Sequence, residues 1–183
     1  MIAALDFIIQ AVSTLFLFII LLRFWLPWFR VDFRNQIAQG LLKVTGPLVI
    51  PLRRILPPIG RVDTATVVIA FAIAYVTIVI RLFLVNFGPI GNYGAIAIMA
   101  LASLCVLSAN LFMLVIFVHI LLGWFAPGVY NPATALVSSI AEPLLRPFRR
   151  VVPSLGGFDI SPILPLILLG AFTRLVASYI PVL

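Results

Sequence analysis

The chain has 183 residues, 64% of them hydrophobic and only 9% charged, with a mean hydropathy of +1.28. Soluble domains carry about a quarter charged residues, and a chain of this length could not hide so much apolar surface from water, so a water-soluble fold is excluded. The net charge of +7 would suit a nucleic-acid binder, but its placement along the chain argues against direct nucleic-acid contact.

A bilayer span needs about 20 mostly apolar residues to cross roughly 30 Å of hydrocarbon. Four segments qualify, about 5–28, 65–86, 95–125 and 161–181. The third, at about 1.5 Å per residue, would reach about 46 Å and must tilt or start among headgroups. The first is not a signal peptide, because Asp6 stands where a positive region belongs and the apolar run is too long. Cys105, the lone cysteine, lies in a span, forbids an intrachain disulfide and reads as a small packing residue.

Nine of the twelve Lys and Arg lie between spans: Arg30, Arg34, Lys43, Arg53, Arg54, Arg61, then Arg146, Arg149 and Arg150. The other connection, NFGPIGNYG at 86–94, is uncharged. The positive-inside rule therefore puts both basic segments in the cytoplasm and both termini outside.

Shifted by 96 positions, the halves align without a gap. Leu15, Phe16, Trp28, Phe29 and Asn35 meet Leu111, Phe112, Trp124, Phe125 and Asn131. Pro47, Leu48, Pro51, Arg53, Arg54, Pro57, Gly60 and Asp63 meet Pro143, Leu144, Pro147, Arg149, Arg150, Pro153, Gly156 and Asp159. Each unit is span, basic segment, span, so the copies run parallel about an axis along the membrane normal. The first repeat covers 1–94 and the second 95–183.

In each basic segment a short amphipathic helix comes first. Residues 35–45 put Ile37, Ala38, Leu41, Leu42 and Thr45 on one face, and 131–142 do the same with Ala133, Leu136, Val137, Ile140 and Ala141. Asn131 is an N-cap candidate with Pro132 in the first turn. Both helices read as interfacial. The prolines that follow exclude one long helix and leave room for a single turn between Pro51 and Pro57, or Pro147 and Pro153. Adjacent arginines cannot share a helical face, so one of each pair should reach phosphates and the other the protein. Gly60 and Gly156 permit a positive-φ turn, and Ser161 with Pro162 suits the start of the last span.

The doubled P-L-x-x-P-x-R-R-x-x-P-x-x-G-x-x-D, with its upstream W-F and Asn, resembles the YggT family, YlmG-like integral membrane proteins of bacteria with relatives in plastids. The likeness covers nearly the whole chain. Its departures are Arg61 in place of a second glycine and Pro58 beside Pro57. The resemblance implies a multi-pass protein of the inner membrane. Bacterial members are associated with osmotic and potassium stress tolerance, some lying near division genes, and plastid relatives with nucleoid distribution and cytochrome b assembly. It implies no enzymatic activity.

Arg53, Arg54, Arg61, Arg146, Arg149 and Arg150 are the candidate site for anionic lipid or an acidic protein partner, since a guanidinium fork binds two phosphate oxygens; otherwise they only orient and anchor the helices. Asp63 and Asp159 read as structural, each capping a span or pairing with a motif arginine. Glu142 has no acidic counterpart, Gly46 occupying its place, and receives no role.

Within the spans a charge costs about 2.5–3.5 kcal/mol at the centre. Arg23 is expected to snorkel to the inner surface, and His119 is its repeat partner. Asp6 should pair with Arg81 or Arg174 as a lock between helices. One histidine cannot supply both axial ligands of a b-type haem or build a zinc site alone, so no cofactor or metal is expected. No GxS turn, HExxH or paired membrane aspartates occur, and the protein reads as no enzyme. Small residues at Ala70, Ala74, Ala95, Ala102, Ala109, Gly170 and Ala177 allow close helix packing within the bundle, or between copies of the chain. Trp28 and Trp124 read as inner-surface anchors.

The architecture expected is all-α: four transmembrane helices in two parallel pairs, each with an interfacial helix and a proline-arginine turn. The leading function is a scaffold reading anionic lipid or a membrane partner. The competing function is an ion transporter or channel, which would need several polar groups facing one another at mid-membrane, where the later spans offer mostly Ala, Val, Ile and Leu with Asn110 the exception. A reporter fused after Leu183 is expected to behave as non-cytoplasmic; cytoplasmic activity there would reverse the orientation.

Overall fold

The computed structural model describes residues 2–86, 92–125, 128–150 and 159–179. Among them the chain is helical, with α1 Ile2–Trp25, α2 Gln36–Arg53, α3 Thr64–Asn86, α4 Tyr93–Phe125, α5 Pro132–Arg149 and α6 Ile163–Ser178. The described extended pairing is one bridge, Ile59 to Val62. Three helices, α1, α3 and α4, are long and apolar enough to cross a membrane, while α6 is apolar but spans 16 residues.

Prolines set several of the bounds. Pro27 stops α1 three residues short of the expected end, because it cannot continue the helix and biases residue 26 away from it. No proline lies between 93 and 125, and α4 runs unbroken for 33 residues, about 50 Å.

The prolines of the basic segments act otherwise than expected. Pro47 and Pro51 lie inside the 18-residue α2, and Pro143 and Pro147 inside the 18-residue α5. A proline removes one main-chain donor and frees the carbonyl four residues earlier. At i and i+4 spacing both losses fall on one helix face, and all four prolines are exposed. The buried face lies opposite, with Ala38, Thr45, Gly46 and Val49 on α2 and Leu136, Ile140, Ala141 and Leu145 on α5. The helix survives because the missing bonds lie where polar surroundings can replace them. Ile37, expected on the inner face, is 42% exposed.

Asn35 and Asn131 both cap. Asn35 Oδ1 accepts from the Ile37 and Ala38 main-chain N–H groups, and Asn131 forms a capping box with Thr134. Asn35 Nδ2 also donates to the Pro132 carbonyl at 2.6 Å, so the two amphipathic helices begin side by side. After α2 the chain closes a tight turn in which Ile59 and Val62 exchange main-chain hydrogen bonds at 3.0 Å. Gly60 has φ +61° there, with open space where a Cβ would lie, so its role is purely conformational. Pro153 and Gly156 fall outside the described residues.

Two cores hold the bundle. Leu17 and Ile20 of α1 pack with Ala70, Ala74 and Ile78 of α3 and Ile96 and Ala100 of α4. Leu21, Leu111, Val115 and Ile116 pack with Ala38 of α2 and with Leu136, Ile140 and Leu145 of α5. Ala70, Ala74 and Ala109 are buried, which lets helices approach closely. Cys105, expected to pack inside, is exposed, because it borders an open apolar cavity rather than a filled core. Trp28 and Trp124 are 42% and 63% exposed at the ends of α1 and α4.

At the end of the bundle away from α2 and α5, Asp6 of α1 takes a two-pronged grip from Arg81 of α3: Nε to Oδ1 at 2.7 Å and Nη2 to Oδ2 at 3.3 Å. A forked guanidinium–carboxylate pair in an apolar layer ties two helices that otherwise meet through aliphatic contacts. Arg174 makes no ion pair with the described residues. Replacing Asp6 by Asn, Arg81 by Gln, and both together, should give a double-mutant coupling of about 0.5–3 kcal/mol in detergent unfolding, with each single change destabilising.

Candidate functional site

The motif residues converge where α1 ends, α2 ends and α3 begins. Arg53, in the last turn of α2, donates from Nη2 to Asp63 Oδ2 at 2.6 Å. Thr66, three residues into α3, donates its hydroxyl to the same oxygen at 2.8 Å. Arg23 reaches this carboxylate from α1, Nε lying 3.9 Å from Oδ2, while its Nη1 donates to Thr45 Oγ1 at 2.5 Å and to the Leu42 carbonyl at 3.3 Å. Arg23 is only 6% exposed. It is buried rather than extended to the surface, because Thr45 and the Leu42 carbonyl on α2 and the Asp63 carboxylate take up its guanidinium.

The second copy builds the corresponding cluster with different chemistry. Arg149 donates from Nε to Asp159 Oδ2 at 2.8 Å and from Nη1 to Glu142 Oε2 at 2.6 Å. Glu142 Oε1 in turn lies 3.4 Å from His119 Nε2, and Ser138 Oγ lies 3.5 Å from His119 Nδ1. Where the first copy has Arg23 and Gly46, the second has His119 and Glu142. The exchanges compensate. An always-charged guanidinium reaches the motif aspartate side directly, whereas a weaker base needs an intervening carboxylate to join the network.

Both aspartates are held as carboxylates. Burial by itself would raise the Asp63 pKa, but hydrogen bonds from Arg53 and Thr66, with the fields of Arg53 and Arg23, outweigh it and keep it below the usual range. Asp159 behaves alike: burial pushes up, and the Ser161 main-chain N–H, 3.0 Å from Oδ1, together with Arg149 pulls it down. Ser161 does not cap α6 with its hydroxyl, which is buried and has no hydrogen-bond partner among the described residues; Pro162 holds the cap position. Asp63 Oδ1 and Arg23 Nε are likewise buried without a hydrogen bond to the described residues.

The second arginine of each pair turns away. Arg54 and Arg150 are exposed and make no hydrogen bond through their side chains or ion pair with the described residues, and the same holds for Arg61 and Arg146. Arg61 stands on the Gly60 turn beside Ile59, which is 73% exposed, with Ile55 at 76% nearby. Exposed aliphatics next to unpaired guanidinium groups make an amphiphilic tip suited to a headgroup layer. Among the described residues no group of three His, Cys, Asp or Glu side chains could hold a metal ion.

Thr45, Thr66, Ser138 and Glu142 are network members that sequence reasoning left out. Ser138 and Glu142 stand at i and i+4, one face of α5, and Thr66 stands three residues after Asp63; both spacings were available as signals. What could not be read was that α1 and α4 bring Arg23 and His119 against those faces.

The family model CCB3/YggT matches residues 2–84 and again 98–180, two segments offset by the same 96 positions. The chain belongs to the CCB3/YggT family. An uncharacterized protein of Pseudomonas aeruginosa is 38% identical over 172 residues, covering 94% of this chain and 87% of its own. Escherichia coli YggT, also described as uncharacterized, is 33% identical over 174 residues, covering 95% and 89%. The chloroplastic YlmG homolog protein 2 of Arabidopsis thaliana is 39% identical over 67 residues, covering 35% of this chain and 25% of its own. No solved structure matches.

In this YggT-family chain, Asp63→Asn should cost about 3–5 kcal/mol, since it leaves Arg23 buried without its counter-charge. Asp159→Asn should cost less, because its site is open to solvent. With both carboxyl pKa values depressed on folding, their stabilisation is complete above the unfolded value near about 4 and is lost as pH falls through the folded values. Thermal unfolding of the parent protein should therefore be flat between about pH 5 and 8 and fall in acid, the acid-dependent part shrinking in Asp63→Asn.

Proposed function

We propose that the protein is a non-catalytic scaffold or assembly protein of the bacterial inner membrane that holds anionic lipid, or an acidic membrane partner, through its duplicated Pro-x-Arg-Arg turns. One observation carries the reading. In each copy one arginine of the pair is bound within the protein and its neighbour is exposed without a partner among the described residues. A pair used only for anchoring would not need one guanidinium committed to an aspartate and one left free.

In this reading α6, about 24 Å long, is the fourth span. α2 and α5 lie along the cytoplasmic surface as amphipathic helices, and both termini face outward. Osmotic stress tolerance is the physiological setting that the family likeness suggests.

Ion transport in potassium or osmotic homeostasis is the competing reading. Polar side chains do meet in one cavity among α1, α3, α4 and α6. A neighbouring cavity of about 550 Å³ towards α2 is lined almost wholly by apolar groups such as Leu21, Phe24, Ala70, Leu104, Phe112 and Leu169. Such a boundary favours binding over conduction.

Arg54→Lys with Arg150→Lys should preserve topology and reduce the phosphatidylglycerol or cardiolipin retained after purification, and Gln at both positions should reduce it further. Retention equal to the parent in both variants rejects the lipid reading. Steady ion flux in proteoliposomes that disappears on replacing Arg174 would favour transport.

A further inference from the structure

The half of the bundle distal to α2 and α5 contains a cavity of about 370 Å³ to which four helices contribute polar groups. Gln10, Ser13 and Thr14 come from α1, Thr77 and Arg81 from α3, Ser103 and Asn110 from α4, Thr173 and Arg174 from α6. On α1 Gln10 stands three and four residues before Ser13 and Thr14, and on α3 and α4 the pairs are four and seven residues apart, so each of these helices turns one face to this space, while on α6 the contributors are the neighbours Thr173 and Arg174. These polar faces are hidden in sequence, since none has more than a few polar positions in a long apolar run.

Two of these hydroxyls are engaged within their own helices, Ser103 with the Ala100 carbonyl at 2.7 Å and Thr173 with the Gly170 carbonyl at 2.9 Å. Gln10, Ser13, Thr14, Thr77, Asn110 and Arg174 make no side-chain hydrogen bond with the described residues. Neutral polar groups in a hydrocarbon layer cost about 1–3 kcal/mol each when unpaired, so the five half-buried ones here, beside the exposed Arg174, call for something that pairs with them.

The charge balance indicates what that is. The five acidic residues are Asp6, Asp32, Asp63, Glu142 and Asp159. Asp63, Glu142 and Asp159 belong to the clusters at the other end, Asp32 follows α1 there, and Asp6 is already gripped at two points by Arg81. No side-chain carboxylate is left for Arg174. A guanidinium with no ion pair to the described residues, amide N–H groups and hydroxyls that can all donate make a site selective for negative charge. The volume is at the lower end of the roughly 300–1,000 Å³ of small-molecule sites.

We infer that this cavity binds an oxyanion, phosphate-like in chemistry, with Arg174 as the primary contact and Thr77 and Asn110 as neutral donors. The ion is carried either on the headgroup of an anionic lipid of the distal leaflet or as a free small anion from the aqueous side. The site is separate from the Arg54 and Arg150 surface and does not depend on the scaffold reading.

The test uses the full chain in detergent, in an Arg54→Gln/Arg150→Gln background so that the basic turns contribute little. Inorganic phosphate, short-chain phosphatidylglycerol and short-chain phosphatidylcholine are titrated by calorimetry. Binding of phosphate or phosphatidylglycerol, but not phosphatidylcholine, is expected. Arg174→Gln should weaken it about tenfold or more, as for loss of one charge-assisted hydrogen bond. Asn110→Leu and Thr77→Val should weaken it less, and because they leave every charge in place they guard against a misfolded Arg174 variant. Phosphate binding points to a free anion, and phosphatidylglycerol binding without phosphate points to a lipid. The inference is overturned if neither anion binds, or if the affinity is the same in all three cavity variants.

Discussion

Asp63 sits at the junction on which the first repeat depends. A carboxylate at the start of α3 receives Arg53 from the end of α2, Thr66 from its own helix and Arg23 from α1. Three helices are thus referred to one carboxylate oxygen, Oδ2. In a bundle whose other contacts are mostly apolar and carry little directional information, ion pairs and hydrogen bonds decide which ends meet. The second repeat satisfies the same constraint through Arg149 between Asp159 and Glu142.

That constraint explains why the arginines come as a pair. Neighbouring side chains on a helix point about 100° apart. When Arg53 or Arg149 turns to its aspartate, Arg54 or Arg150 is directed elsewhere. The inward residue fixes the path of the chain and the outward one remains available. A lysine would serve the inward position less well, having no planar fork to meet two acceptors as Arg149 does. The prolines of α2 and α5 contribute in a similar way: their spacing keeps every lost main-chain bond on the exposed face, so the helix that delivers the inward arginine remains intact.

The copies have diverged in a coordinated manner. Arg23 with Gly46 in one, and His119 with Glu142 in the other, are two ways to connect a helix end to the motif aspartate. The same division of labour separates the two ends of the bundle. Near α2 and α5, Arg23, Arg53 and Arg149 are bound in networks with the acidic residues; at the distal end Asp6 and Arg81 form a forked ion pair while Arg174 lines a polar cavity.

Much of this was legible from the amino acids. Hydropathy placed the long helices because lengthy apolar runs have one stable location, and the 96-residue period exposed the repeat because both copies kept their prolines, glycines and charges. Asn35, Asn131 and Gly60 announced their roles through local geometry, which neighbouring residues alone determine. Three things were decided only by tertiary structure: the burial of Arg23, the recruitment of Glu142 and the gathering of Thr77, Asn110 and Arg174 about one space. Each depends on which faces of distant helices meet. In an apolar chain, many rotations of a helix bury similar surface, so the pattern of hydrophobic residues leaves that choice open and a few polar contacts make it.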